Sequence, residues 1–216
     1  MQRIFAQYKS KVNKSMSFSQ EAWSVFEQTI KDYHKVDNVD APLVIPQYEK
    51  EIHKTLYRKC WIDTVQWHLE DLIRDPEIDP LEALALKRRI DKSNQDRTDL
   101  VEQIDEYFYA NAPAQPQPNA TINTETPAWA VDRLSILALK IYHMREQSER
   151  TDADENHRQR CNQKLGVLLI QREDLSKALD TLLDDIFAGR KQMRLYKQMK
   201  MYNDASTNPI LYGKKQ

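Results

Sequence analysis

An all-α helical bundle is the fold class this sequence predicts, and three observations predict it. The 216-residue chain has only three glycines, Gly166, Gly189 and Gly213. That is too few for the positive-φ turns of a sheet-rich fold, or for a glycine-rich phosphate-binding loop. Apolar residues recur at spacings of three and four over long windows, the period of a helix with one buried face. Apolar residues are 40% and charged residues 30% of the chain, the balance of a soluble globular domain with a charged surface. The expectation is one domain over residues 1–216, with about five helices arranged as two long antiparallel hairpins plus a first helix on the outside.

The first helix is expected over residues 17–37. Ser17 and Gln20 have capping-box spacing. Trp23, Phe26, Ile30 and Tyr33 then fall on one face. The first hairpin covers 47–109. Its first arm follows Pro46, is rich in aromatics (Tyr57, Trp61, Trp67) and ends before Asp75-Pro76. Its second arm opens on Asp79 as N-cap, Pro80 in the first turn and Glu82 three residues after the cap. Residues 110–127, with Pro113, Pro116, Pro118 and Pro127, read as a flexible or extended linker. The second hairpin covers 127–203. A straight helix from Asp154 to Asn203 would span about 75 Å, so a break is expected near Gly166 or Gly189. Residues 204–216 read as a flexible tail.

The formal net charge is −1, unevenly spread. Residues 1–16 carry +4, residues 190–216 carry +6, and the body carries −11. No nucleic-acid-binding motif accompanies these basic ends, so they read as solvated and nucleic acid is not an expected partner. Cys60 and Cys161 are the only cysteines and form no CxxC pair, which excludes a cysteine zinc site. No signal-peptide core or membrane-length apolar run is present, so the expected compartment is the cytoplasm.

An offset of 75 residues aligns the two hairpins without a gap. Arg58 falls on Arg133, Trp67 on Tyr142, His68 on His143, Arg97 on Arg172, Leu100 on Leu175 and Asp105 on Asp180. On the second arm of the first hairpin, Ile90, Asn94, Arg97, Val101, Ile104 and Phe108 form an inward seam that Asn94 and Arg97 interrupt. Arg172 interrupts the matching seam of Leu165, Leu169, Ser176, Leu179 and Leu183. A guanidinium facing a core needs carboxylates, and Asp63, Glu70, Asp71 and Asp132 are available. Such residues read either as a buried polar network that fixes helix register or as a polar inter-helix pocket, whose candidate lining is His68, Glu70, Asp71, Asn94, Arg97, Asp132, Lys140, His143 and Arg172. Arg97 and Arg172 are both expected to pair with acids, and His68 and His143 to face each other.

No metal site follows from spacing, because neither hairpin carries the Glu-x-x-His of di-iron bundles. Glu102-x-x-Asp105 has the spacing of half of a helical pyrophosphohydrolase motif, but the other half is missing. No cofactor motif is recognisable, and no catalytic residue can be assigned.

Three segments carry a resemblance: Cys60–Asp71 (CWIDTVQWHLED), Ile90–Asp105 (IDKSNQDRTDLVEQID) and Asp132–Ile141 (DRLSILALKI). With them the chain, over about residues 20–200, resembles a bacterial family known only as domain of unknown function 4254. Members tend to be encoded near glycosyltransferases of surface-polysaccharide synthesis. The resemblance thus implies a cytoplasmic accessory or scaffold role in lipopolysaccharide or capsule assembly, with a glycosyltransferase or a nucleotide sugar as partner. The alternative is a small enzyme with an inter-helix site, such as a metal-assisted phosphohydrolase acting on a nucleotide or sugar nucleotide. The resemblance assigns no role to any residue.

Overall fold

The computed structural model describes residues 16–112, 115–201 and 204–213. The basic residues of the N-terminal end, Arg3 to Lys14, lie outside them. The fold is all-α: α1 (Phe18–Val36), α2 (Glu51–Leu72), α3 (Pro80–Asn111), α4 (Pro127–Glu149), α5 (Glu155–Phe187) and a short α6 (Pro209–Tyr212). The strands β1 (Thr121–Ile122) and β2 (Lys191–Gln192) form a two-residue parallel pair. No helix among the described residues is long and apolar enough to cross a membrane.

Each helix start has a local cause. Ser17 and Gln20 close the capping box of α1. The Asp79 carboxylate accepts from the N–H groups of Leu81 and Glu82 at the head of α3, and Asp154 accepts from His157 at the head of α5. Two helix starts are also held from a distance, that of α4, which has no side-chain cap, and that of α1. Asp105 of α3 accepts from the Ala128 N–H at 3.1 Å, in the first turn of α4. Asp180 of α5 accepts from the Ser19 N–H at 2.9 Å, in the first turn of α1. A carboxylate there satisfies an orphan donor and meets the positive end of the helix dipole. Asp105 and Asp180 are 75 residues apart, so positions that align between the hairpins perform the same task.

Three expectations about the elements need correction. The first helix is not on the outside. Its Ala22, Phe26, Thr29, Ile30 and Tyr33 are fully buried, and it packs on α2, α4 and α5. The first arm of the first hairpin starts at Glu51 rather than at residue 47. Lys50 is extended there, and both Lys50 and His53 bind Glu21 of α1, at 2.7 and 2.9 Å. The second hairpin ends at Phe187, not at residue 203. Gly189 takes φ +72°, a left-handed helix terminator, whereas Gly166 stays inside α5.

Beyond Gly189 the chain turns back on the linker. The Gln117 N–H donates to Gly189 O at 2.9 Å, and the Thr121 N–H to Arg190 O at 3.2 Å. The described part of the linker is therefore tied to the chain after α5. The basic segment that follows lies along α3. Lys197 pairs with Glu102 and Glu106 at 3.0 and 2.8 Å, and the Gln198 N–H donates to Glu102. Part of the basic C-terminal region thus neutralises the acidic body rather than facing solvent alone.

Gly189→Ala should lower stability by about 1–2 kcal/mol, the cost of a left-handed non-glycine residue. A Cβ there would meet nothing closer than 3.5 Å, so strain rather than a clash is the cause. Urea denaturation checks this. Deleting residues 204–216 should leave the melting temperature almost unchanged, because Ile210, Leu211 and Tyr212 are all exposed.

Candidate functional site

Four charged side chains meet between α2, α3 and α4. Lys59 and Asp63 stand one turn apart on α2 and hydrogen-bond each other. The Lys59 ammonium also reaches Asp132 of α4 at 2.8 Å. Arg97 of α3 contacts Asp63 through Nε and Asp132 through Nη2, both at 2.9 Å. Ser135, one turn after Asp132, donates its hydroxyl to Asp63 at 2.6 Å. Lys59 is 0% exposed and Asp63 2%. Two cations and two anions cancel, so the buried quartet is neutral.

Burial alone would raise the Asp132 carboxyl, but the charges and hydrogen bonds of Lys59 and Arg97 outweigh it and hold it below the usual carboxylate range. Burial pushes Asp63 upward, and Lys59 and Arg97 pull against it. Lys59 and Ser135 donate to Asp63 Oδ2, while Arg97 Nε faces its Oδ1 as an ion pair without hydrogen-bond geometry, and these contacts favour the ionised form. Burial opposes the charge on Arg97, and its two aspartates more than restore it.

Above the quartet, α2, α3 and α4 leave a cleft of about 270 Å³. Asp63 and Arg97 belong to its lining, with Gln66, Trp67, Glu70 and Asp71 of α2, Arg74 just beyond the end of α2 and Ile136 of α4. Glu70 pairs with Arg74 at 2.8 Å, and the Gln66 amide donates to Asn94 at 2.9 Å. A larger hollow of about 430 Å³ lies beside the strand pair, between Trp129 and Tyr196. Of its charged lining groups Glu125 and Arg194 are exposed and Lys191 is half-buried, so no fully buried ionisable group faces it.

Behind Trp67 lies a cluster of histidines. His68 of α2 and His143 of α4 come together, and His34 from the end of α1 joins them. Ring centroids are 5.2 Å apart for His34–His68, 5.2 Å for His34–His143 and 5.4 Å for His68–His143. One nitrogen from each ring lies within 4.8 Å of the others. His34 Nε2 and His68 Nε2 are 3.2 Å apart. An aromatic ring stacks on each imidazole: Tyr142 on His34, Tyr33 on His68 and Trp67 on His143. Outer partners hold two of the rings. His34 Nδ1 donates to Ile30 O at 2.7 Å, and His143 Nδ1 to Glu146 at 2.8 Å. The His68 Nδ1 stands 3.9 Å from Asp71. Burial, and then the charges of the other two histidines, push the His68 pKa below its ordinary value. Burial also lowers His143, against the pull of Glu146.

The expected pocket residues separate into groups. Arg97 and Asp132 lie in the quartet, and Asn94 borders it. Glu70 and Asp71 line the cleft, and His68 and His143 form the histidine cluster. Lys140 does not join them; it is exposed, one turn beyond Ile136 on α4. Arg172 does not pair with an acid among the described residues. Its guanidinium lies 4.0 Å over the Trp23 ring, a cation–π contact, because α1 occupies the place where a carboxylate was expected. Glu102 and Asp105 are committed to Lys197 with Gln198, and to the head of α4, which removes the half-motif for a phosphohydrolase. Sequence reasoning missed Lys59, Ser135 and His34. The one available signal was Lys59–Asp63, an i,i+4 pair inside an aromatic-rich helix.

The family model for a protein of unknown function, DUF4254, matches residues 53–195. That span contains the quartet, the cleft residues, His68 and His143, while His34 precedes it. No curated protein and no solved structure matches the chain.

Lys59→Met should cost about 3–5 kcal/mol, the penalty for breaking a buried pair by removing one partner. Adding Asp63→Leu should recover much of it, since Arg97 and Asp132 then remain as a balanced pair. Urea denaturation of the two variants checks this. The histidines also predict a pH dependence. His68 and His143 titrate lower in the folded chain than the value of about 6.5 for an unfolded one. Within that interval the unfolded chain binds more protons, so stability rises with pH. It should be complete above about pH 6.5 and fall as the pH drops below that value. The urea midpoint should decrease between about pH 7.5 and about pH 5.5, and His143→Gln should flatten the slope.

Proposed function

The chain belongs to the DUF4254 family, and on that premise we propose that it is an accessory protein of surface-polysaccharide assembly that binds a sugar ring, free or carried on a nucleotide, in the cleft between α2, α3 and α4. The observation that carries this reading is the lining of the cleft. The Trp67 indole borders it, backed on one side by the His143 ring, and Gln66, Glu70 and Asp71 surround it. An aromatic face offers apolar contact to the C–H side of a sugar ring, while carboxylates and an amide accept and donate hydrogen bonds at its hydroxyls. Arg74, beside Glu70, supplies a cation suited to phosphate.

The size of the cleft narrows the ligand. At about 270 Å³ it falls just below the usual range of small-molecule pockets, roughly 300–1,000 Å³. It fits one ring, so the nucleotide part of a sugar nucleotide would lie outside, toward Arg74. The setting in lipopolysaccharide or capsule assembly, a cytoplasmic location and a glycosyltransferase as protein partner are supported by the family resemblance alone.

The test is a thermal-shift and calorimetric comparison of hexoses, hexose 1-phosphates and nucleotide sugars. A member of at least one class should raise the melting temperature. Glu70→Gln should weaken its binding by about tenfold, or 1.4 kcal/mol, with little change in the stability of the free protein. Arg74→Ala should weaken only the phosphate-bearing ligands. If no sugar in any class binds, the cleft is not a carbohydrate site.

A further inference from the structure

We propose that His34, His68 and His143 form a site for one divalent transition-metal ion of the zinc type, held by three Nε2 atoms and completed by a water molecule. The inference rests on the proton count of the cluster. A backbone carbonyl can only accept, so His34 Nδ1 carries the proton in its 2.7 Å contact with Ile30 O. The Glu146 carboxylate likewise fixes the proton of His143 on Nδ1. In their neutral forms both rings then present an Nε2 lone pair. His68 Nε2 lies 3.2 Å from His34 Nε2, close enough to donate one proton there. Nothing among the described residues satisfies His143 Nε2, which is buried without a hydrogen-bond partner.

A bare buried acceptor costs free energy, and one cation removes the problem for all three rings at once. It would also let His68 keep its proton on Nδ1, toward Asp71. The spacing fits. With metal–nitrogen bonds of 2.0–2.1 Å, a tetrahedral ion places its ligands about 3.3 Å apart. His34 Nε2 and His68 Nε2 stand at 3.2 Å, and one nitrogen of each of the three rings lies within 4.8 Å of the others, near the spacing a metal requires.

The surroundings are those of a metal centre. A carbonyl or carboxylate on the far nitrogen orients a ligating imidazole and raises its basicity, and Ile30 O, Asp71 and Glu146 occupy those positions. Stacked Tyr142, Tyr33 and Trp67 restrain the rings, so the ligand set is preorganised. Asp71 and Glu146, with Asp37 acting on His68 through its charge, provide the negative field that a dication needs. Imidazole ligands suit zinc, copper, iron and nickel, and three of them with one open position are the ligand count of a catalytic rather than a structural zinc.

The test uses the untagged full chain, stripped with a chelator and titrated with Zn(II) and with Co(II). One equivalent should bind, raise the melting temperature and, with Co(II), give the visible absorption of a tetrahedral ion. His34→Gln and His143→Gln should each weaken binding by about 100-fold or more, and Glu146→Gln by about 10- to 100-fold. His53→Gln, outside the cluster, should leave it unchanged. Circular dichroism of each variant separates lost binding from lost folding. Should His34→Gln or His143→Gln unfold, Glu146→Gln decides the matter, because it leaves every proposed ligand in place. Failure of the chain to bind one equivalent of either metal would overturn the proposal. So would binding that survives in the folded His34 and His143 variants, or, where only Glu146→Gln folds, binding that this variant leaves unchanged. Neither result depends on whether a sugar enters the cleft.

Discussion

Four charges at the meeting point of α2, α3 and α4 constrain everything around them. Lys59 and Asp63 have left water completely, and Asp132 nearly so. Their desolvation cost is offset only if every partner stays in reach. Lys59 binds one acid on its own helix and one on α4, and Arg97 binds the same two acids from α3. Sliding any of the three helices by one turn would strand a buried charge. The quartet therefore sets helix register with a precision that the aliphatic contacts around it, such as Ile104, Leu134 and Leu139, do not demand on their own.

The cleft and the histidine cluster both follow from that register. Trp67 and Glu70 lie one and two turns beyond Asp63 on α2, so fixing Asp63 brings them to the cleft. The same register sets His68 beside His143, with the Trp67 ring between the histidines and the cleft. The third histidine depends on α1. That helix is bound at its head by Asp180, near its start by Lys50 and His53 through Glu21, and along its length by Phe26, Ile30 and Tyr33 in the core. With the head of α1 tied, Tyr33 in the core and Nδ1 of His34 donating to Ile30 O, that histidine in the last turn has little freedom of position. An opening for a sugar and a convergence of imidazoles thus share one wall, and a ligand at either would feel the same α2 backbone.

Positions 75 residues apart in the two hairpins share some tasks and not others. Asp105 and Asp180 both cap a neighbouring helix. His68 and His143 meet in one cluster. Arg97 and Arg172 diverge, because Arg97 faces two aspartates while Arg172 faces the indole of Trp23. Arg172 meets α1 at Trp23, whereas Arg97 faces α2 and α4.

Everything that depends on neighbours along one helix was legible in the sequence. The capping box at Ser17, the Asp79 cap, the buried face of α1 and the seam from Ile90 to Phe108 all follow from spacings of three and four residues, because backbone geometry repeats at that period. The glycine that stops α5 could be narrowed to two candidates, and the left-handed turn after Phe187 selected Gly189. The acid partners of Arg97 were legible too, since an arginine on an apolar seam demands them, and Asp63 and Asp132 both contact it. What the sequence could not supply is which faces of different helices meet. His34 and His68 are 34 residues apart, and Lys59 and Asp132 are 73 apart. No period links such residues; their proximity is decided by how α1 packs against α2 and α4, a collective outcome of burying side chains such as Phe26, Tyr33, Leu56 and Leu134. For the same reason Lys140, placed near the pocket by its spacing of four from Ile136, is exposed. A single helix determines which of its residues share a face, and only the packed bundle determines what that face looks upon.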